Sequence, residues 1–159
     1  MQKNPIDTTQ YSNRIQALGE PLFKTAIFEK GRLQKHHQAT VVSHTMRVTR
    51  RAEIIAEFLK RHNINVNVDD VVIAALCHDI GIIGRKKKYK NNLECCKRHS
   101  SDSVIEARKI YGNLSAVAEE AILYHMWPLS VSYPKSTEGW VVLAADKLSS
   151  IKGVFTKQA

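Results

Sequence analysis

The stretch Val71-Val72-Ile73-Ala74-Ala75-Leu76-Cys77-His78-Asp79-Ile80-Gly81 puts two metal-capable side chains at the end of the longest purely apolar run in the chain. Asp69 and Asp70 suit a helix N-terminus and Gly81 suits a helix stop, so 69–79 reads as a buried helix. As a strand, 71–76 is too short and too flanked by helix signals. An imidazole and a carboxylate at such a tip are costly unless something satisfies them, and a divalent cation does. The pair therefore raises one question: do other His and Asp residues recur where they could complete a metal site?

Outward from this stretch, nearly everything reads as helix. Residues 10–30 carry Ile15, Leu18, Leu22, Phe23, Ala26 and Ile27 at helical spacing, closed by Gly31. Residues 39–62 repeat the pattern with Val41, Val48, Ala52, Ile55 and Leu59. Further helices are expected over 101–111, ended by Gly112, and over 115–126, ended by Pro128. A last one runs over 137–154, with Ser136 or Thr137 as its N-cap. Period-two alternation is nowhere sustained. The longest break is a loop over 81–98, and long loops inside compact domains are often functional. The expected fold is all-α, a compact bundle of about six helices.

With 159 residues the chain reads as one domain spanning 1–159, loose over 1–10 and 156–159. No apolar run approaches the length of a membrane span. The start Met1-Gln2-Lys3-Asn4-Pro5-Ile6-Asp7 has no apolar signal core. Three cysteines, two of them adjacent, make neither a disulfide framework nor a C-x-x-C zinc pattern, which suits a reducing cytoplasm. The net charge of +9 is concentrated in Arg85-Lys86-Lys87-Lys88-Tyr89-Lys90 and in Arg47, Arg50 and Arg51. Such clusters are either solvated surface or an attraction for a phosphorylated substrate or nucleic acid.

The metal-capable residues fall on the apolar stripes. His44 is in register with Val48, Ala52, Ile55 and Leu59; His78 and Asp79 follow Ala74 and Ala75 by four. His125 follows Ala121 and Val117, and Asp146 follows Val142 by four. These positions face the core, where helix spacing otherwise places Leu or Val. Taken singly, each histidine is most simply a hydrogen-bonded core residue. An inward Asp is rarer, and several such residues on separate helices point to a shared metal centre in a helical core. His99, just before Ser100-Ser101, sits at a helix mouth rather than on an apolar stripe. His36 and His37 read as surface loop, although His37 could approach the site from outside, and His62 reads as the cationic end of a helix. Cys77 reads as a small core residue, and Trp127 and Trp140 as packing, with Trp127 close enough to His125 to line a pocket.

His44, then His78-Asp79, then Asp146 resembles the H…HD…D signature of the HD-domain metal-dependent phosphohydrolase superfamily. His99 and His125 resemble the two extra histidines of its binuclear members. The run His125-Met126-Trp127-Pro128-Leu129, with Trp140 and Ala145-Asp146-Lys147, is similar to small stand-alone bacterial members; the likeness covers about residues 36–153. The resemblance implies one metal on His44, His78, Asp79 and Asp146, with Asp79 bridging to a second completed by His99 and His125. Two divalent ions are implied, with iron, manganese or nickel suiting imidazole and carboxylate ligands and zinc also fitting.

The resemblance further implies hydrolysis of a phosphate mono- or diester, nucleotide-like or another phosphorylated small molecule, by a hydroxide held between the metals. His78 and Asp79 would be central to the chemistry. Arg85 and Lys86 would draw in the phosphate. Lys147 neighbours a ligand, although one step along a helix turns a side chain about 100° away. A second enzymatic reading is the mixed-valence di-iron oxygenase branch, which uses the same ligands. A third is a non-catalytic module that senses a nucleotide or binds nucleic acid. Retention of all six ligands speaks against the sensor, and Tyr89 alone is thin support for nucleic acid. Ile80-Gly81-Ile82-Ile83-Gly84 stands where a cyclic-di-GMP-specific branch carries GYP.

Overall fold

A computed structural model describes residues 7–36 and 39–155, with side chains through Ile151. The expectations for His37 and for 1–6 and 156–159 lie outside these residues. The described chain is helical apart from one small hairpin. Helices α1 (Asn13–Phe23) and α2 (Ala26–Gly31) lead into strands β1 (Lys35–His36) and β2 (Ala39–Thr40). Then come α3 (Val41–Arg61), α4 (Val68–Cys77), a 3-10 turn (Ile80–Ile82), α5 (Arg85–Lys88), α6 (Asn92–Tyr111), α7 (Ala116–Tyr124) and α8 (Thr137–Phe155). The strands pair antiparallel, Lys35 with Thr40 and His36 with Ala39.

The all-α expectation holds, but two segments differ. The helix expected over 10–30 is broken at Lys24-Thr25, because the Thr25 hydroxyl donates to the Leu22 carbonyl and accepts from the Phe28 amide. That side chain ends one helix and caps the next. The loop expected over 81–98 is largely helical. Asn91 caps α6 by accepting from the Glu94 amide at 2.9 Å, and Glu94 in turn accepts from the Lys90 amide at 2.7 Å. This reciprocal cap starts α6 at Asn92, well ahead of the expected Ser101.

The other starts follow from short polar caps. Thr40 accepts from Ser43, Asn67 from Asp69 and Asp70, Ser115 from Ala118 and Ser136 from Gly139. Of the two residues offered for the α8 cap, Ser136 therefore serves.

Helix α4 is the axis of the bundle, packed against α1, α3, α6, α7 and α8. Val71, Val72, Ala74, Ala75, Leu76 and Cys77 are fully buried, so it is apolar nearly all round, as a central helix must be. Arg14 of α1 ties the periphery to this frame through Glu57 of α3 and Asp69 of α4. Among the described residues, no helix is long and apolar enough to cross a membrane.

Candidate metal centre

Five elements deliver the six expected donors to one place. His44 stands on the first turn of α3, His78 and Asp79 at the end of α4, His99 on α6, His125 at the end of α7 and Asp146 mid-way along α8. All six are buried. His99 corrects its expectation: because α6 begins at Asn92, it lies two turns inside the helix and faces the core instead of sitting at a helix mouth.

The approach of α6 depends on Gly81. A Cβ at that position would overlap the His99 carbonyl and the backbone nitrogen and hydroxyl of Ser103. The Gly81 amide donates to Ser103 Oγ at 2.9 Å, and its carbonyl accepts from Lys88 Nζ at 3.2 Å. The turn after Asp79 is thereby pressed against the helix that carries His99.

The two oxygens of Asp79 face different partners. Oδ2 lies 3.3 Å from His78 Nε2 and 3.8 Å from His44 Nε2. Oδ1 lies 3.4 Å from His99 Nε2 and 3.5 Å from His125 Nε2. Asp146 Oδ1 completes the first side, 2.9 Å from His44 and 3.8 Å from His78. Within His44, His78 and Asp146, and again within Asp79, His99 and His125, the donor atoms all lie within 4.8 Å of one another. Each set could hold an ion.

Three of the imidazoles are aimed by their own helices. The Nδ1 atoms of His78, His99 and His125 donate to the carbonyls of Ala75, Cys95 and Ile122 at 2.7, 2.8 and 2.7 Å. A carbonyl only accepts, so Nδ1 carries a proton and Nε2 faces inward as the donor to a metal. The Nε2 of His78 is buried and makes no hydrogen bond. A metal ion would satisfy that atom. The C-terminal ends of α4 and α7 also converge here, and the negative end of each helix dipole favours positive charge.

The charges are strongly interdependent. Burial disfavours the charged form of His78, yet Asp79 and Asp146 outweigh it and lift its pKa to about 9. His99 is likewise raised, with Asp79 overcoming burial. Burial dominates at His125 and lowers it. Burial opposes ionisation of both carboxylates, but the surrounding imidazoles hold Asp79 well below the usual range and bring Asp146 down to about 2. The raised basicity of His78 and His99 thus offsets the charge of two buried carboxylates, as a divalent cation also would.

The expected phosphate-binding residues divide. Lys147 lies beside one donor: its Nζ is 3.7 Å from Asp146 Oδ2, the oxygen other than the one that faces His44 and His78. Arg85 and Lys86 instead line a polar pocket of about 320 Å³ with Tyr89, Asn91 and Cys95. Cys95 links it to the centre through the carbonyl that anchors His99. Trp127 and Trp140 pack edge-on against each other at 5.6 Å, each about 40% exposed. His62 ends α3 as expected and Cys77 is fully buried.

His36 was missed. Its Nε2 lies 3.6 Å from Asp79 Oδ2 and its side chain is only 10% exposed, so the surface-loop reading is corrected. A two-residue strand is too short for its alternation to show in sequence. The available signal was the spacing to His44, which identifies neither a hairpin nor its direction.

A helical domain that gathers four imidazoles and two carboxylates in its core has a donor set that could hold metal. The HD domain family model matches residues 41–151, and the chain belongs to that family. The superfamily is one of metal-dependent phosphohydrolases whose members bind divalent metals. A solved structure described as a "conserved hypothetical protein from Pyrococcus furiosus" has the same fold, with a TM-score of 0.50 at 17% identity, covering 91% of this chain and 81% of that one. No curated protein matches the chain.

Proposed function

We propose that the protein hydrolyses a phosphate mono- or diester of a small molecule at two divalent ions held by His44, His78, Asp79, His99, His125 and Asp146. The observation that carries this reading is the division of Asp79, whose two oxygens face separate donor sets. A carboxylate so placed could serve two ions, one at each oxygen, as two-metal hydrolysis would require. When bound, the ions lower the pKa of water and offset charge on the phosphoryl oxygens.

The chain's own residues do the rest. Carbonyls of Ala75, Cys95 and Ile122 hold three imidazoles in orientation, so little reorganisation is left for the reaction. The apolar walls of α4 exclude water behind the site. Lys147 sets a positive charge beside Asp146, where it can meet a phosphate oxygen. Arg85 and Lys86 act further out, attracting the anion towards the α6 side.

The test is turnover of a panel of phosphate mono- and diesters by protein loaded with manganese, iron, nickel or zinc. Expected is hydrolysis that needs metal and is lost in Asp79→Ala by a factor of about 1,000 or more, since removal of one such group typically costs a few kcal/mol in the transition state. Oxygen-dependent turnover without hydrolysis would contradict the proposal.

A further inference from the structure

We propose that His36 is a seventh donor of the metal centre, on the Oδ2 side of Asp79; this rests on the two-ion reading above. His36 Nε2 lies 3.6 Å from Asp79 Oδ2, within the 3.3–3.8 Å range at which His78 and His44 stand from the same oxygen. The donor atoms of His36, His44 and Asp79 lie within 4.8 Å of one another, the same criterion met by the two sets already described. The His36 and His44 rings meet edge-on at 5.4 Å, and His44 and His78 follow at 5.6 Å, so three imidazoles are arrayed along one side of the carboxylate.

The hairpin is fixed in this place. Gln34, one residue before β1, donates through Nε2 to the Ile82 carbonyl at 2.9 Å and accepts at Oε1 from the Gly84 amide at 2.6 Å. Both partners lie in the turn that follows Asp79. The Gln34 carbonyl also accepts from the Val41 amide at 3.0 Å, tying the strand to the start of α3. Strand alternation then sends Lys35 outward, and Gln34 and His36 inward. The segment leading into β1 is thus tied to the turn that follows Asp79 and to the start of α3, the helix that carries His44.

The assignment makes the centre asymmetric. His36 would join His44 and Asp79 beside the His44, His78 and Asp146 set, so the Oδ2 side would offer more donors than Asp79, His99 and His125 on the other. An octahedral ion has six positions, so an ion on the Oδ2 side would leave fewer of them to water and substrate than one on the other side. The ion on the Oδ2 side would then be the tightly held one and the other the exchangeable one.

Metal-free protein titrated with Co2+, followed by calorimetry and by the visible absorption of the ion, tests this. Expected are two ions per chain in the wild type. In His36→Ala the tighter site weakens by about 10- to 100-fold or more, the loss typical of even an indirect partner, and its absorption intensifies as coordination falls. His36→Gln, which keeps the bulk of the side chain, is measured alongside so that a folding defect in His36→Ala does not decide the result. Gln34→Ala, which frees the hairpin and keeps the donor, is expected to weaken the same site to a smaller degree. Two ions bound with unchanged affinities and spectra in both His36 variants overturn the role of His36 alone. A wild type that takes up no Co2+ overturns the two-ion reading and this assignment together.

Discussion

His78 shows at the scale of one residue what the centre requires. Its Nδ1 is committed to the Ala75 carbonyl, and its Nε2 is buried without a hydrogen bond among carboxylates that raise its pKa to about 9. Protons and metal therefore compete for one lone pair. In metal-free protein the raised pKa stabilises the fold fully below the ordinary histidine value of 6.5, and that contribution is lost as pH rises through about 9. Asp146, held at about 2, contributes above the ordinary value of 3.8 and loses its contribution as pH falls through about 2. Thermal denaturation in chelator is thus expected to show falling stability between about pH 6.5 and 9. Metal affinity is expected to rise over the same interval, with proton release detectable by calorimetry in buffers of different ionisation enthalpy. Metal-free stability that climbs through this window would contradict the charge balance described for His78. The register of His44, His78, Asp79, His125 and Asp146 on core-facing stripes was legible in sequence because helical spacing alone determines it. That Lys147 Nζ lies 3.7 Å from Asp146 Oδ2 was not legible, since spacing places Cβ atoms and leaves the end of a long side chain unfixed.

At the scale of the element, α6 and the turn after Asp79 are the joint on which the second donor set depends. Gly81 permits their contact, and Ala at this position would force the His99 and Ser103 backbone away. Gly81→Ala is expected to cost about 1–3 kcal/mol, the usual range for overpacking, measured by urea denaturation of metal-free protein. It is also expected to weaken the ion on the His99 and His125 side more than its neighbour; equal affinities in wild type and variant would show that α6 is not positioned through Gly81. This joint marks the limit of the sequence reading. Gly81 was taken as a helix stop, and Gly-Ile-Ile-Gly followed by four basic residues reads as loop. The Asn91–Glu94 cap that restarts the helix is a local polar signal, easily overlooked inside a charged run. The β1–β2 hairpin escaped for a related reason: two-residue strands stand on Gln34 contacts 48 and 50 positions away in sequence.

For the whole molecule, the bundle has an apolar helix, α4, at its axis, and this helix and four others around it each contribute to a single buried cluster. The all-α class was legible because periodicity accumulates over long helices, and the six-residue donor set because their types recur in order. The grouping of those donors around the two oxygens of Asp79 is a property of tertiary packing, and only the resemblance to HD domains anticipated it. The pairing of a buried orphaned imidazole with a divided carboxylate is what makes a two-ion centre the simplest account. Anomalous diffraction from crystals of metal-loaded protein, collected at the absorption edge of the bound metal, tests that account most directly. The expected result is two peaks flanking the Asp79 carboxylate, one beside Oδ2 among His44, His78 and Asp146 and one beside Oδ1 between His99 and His125. No peak at this cluster, or a single peak contacting only one oxygen of Asp79, would contradict it.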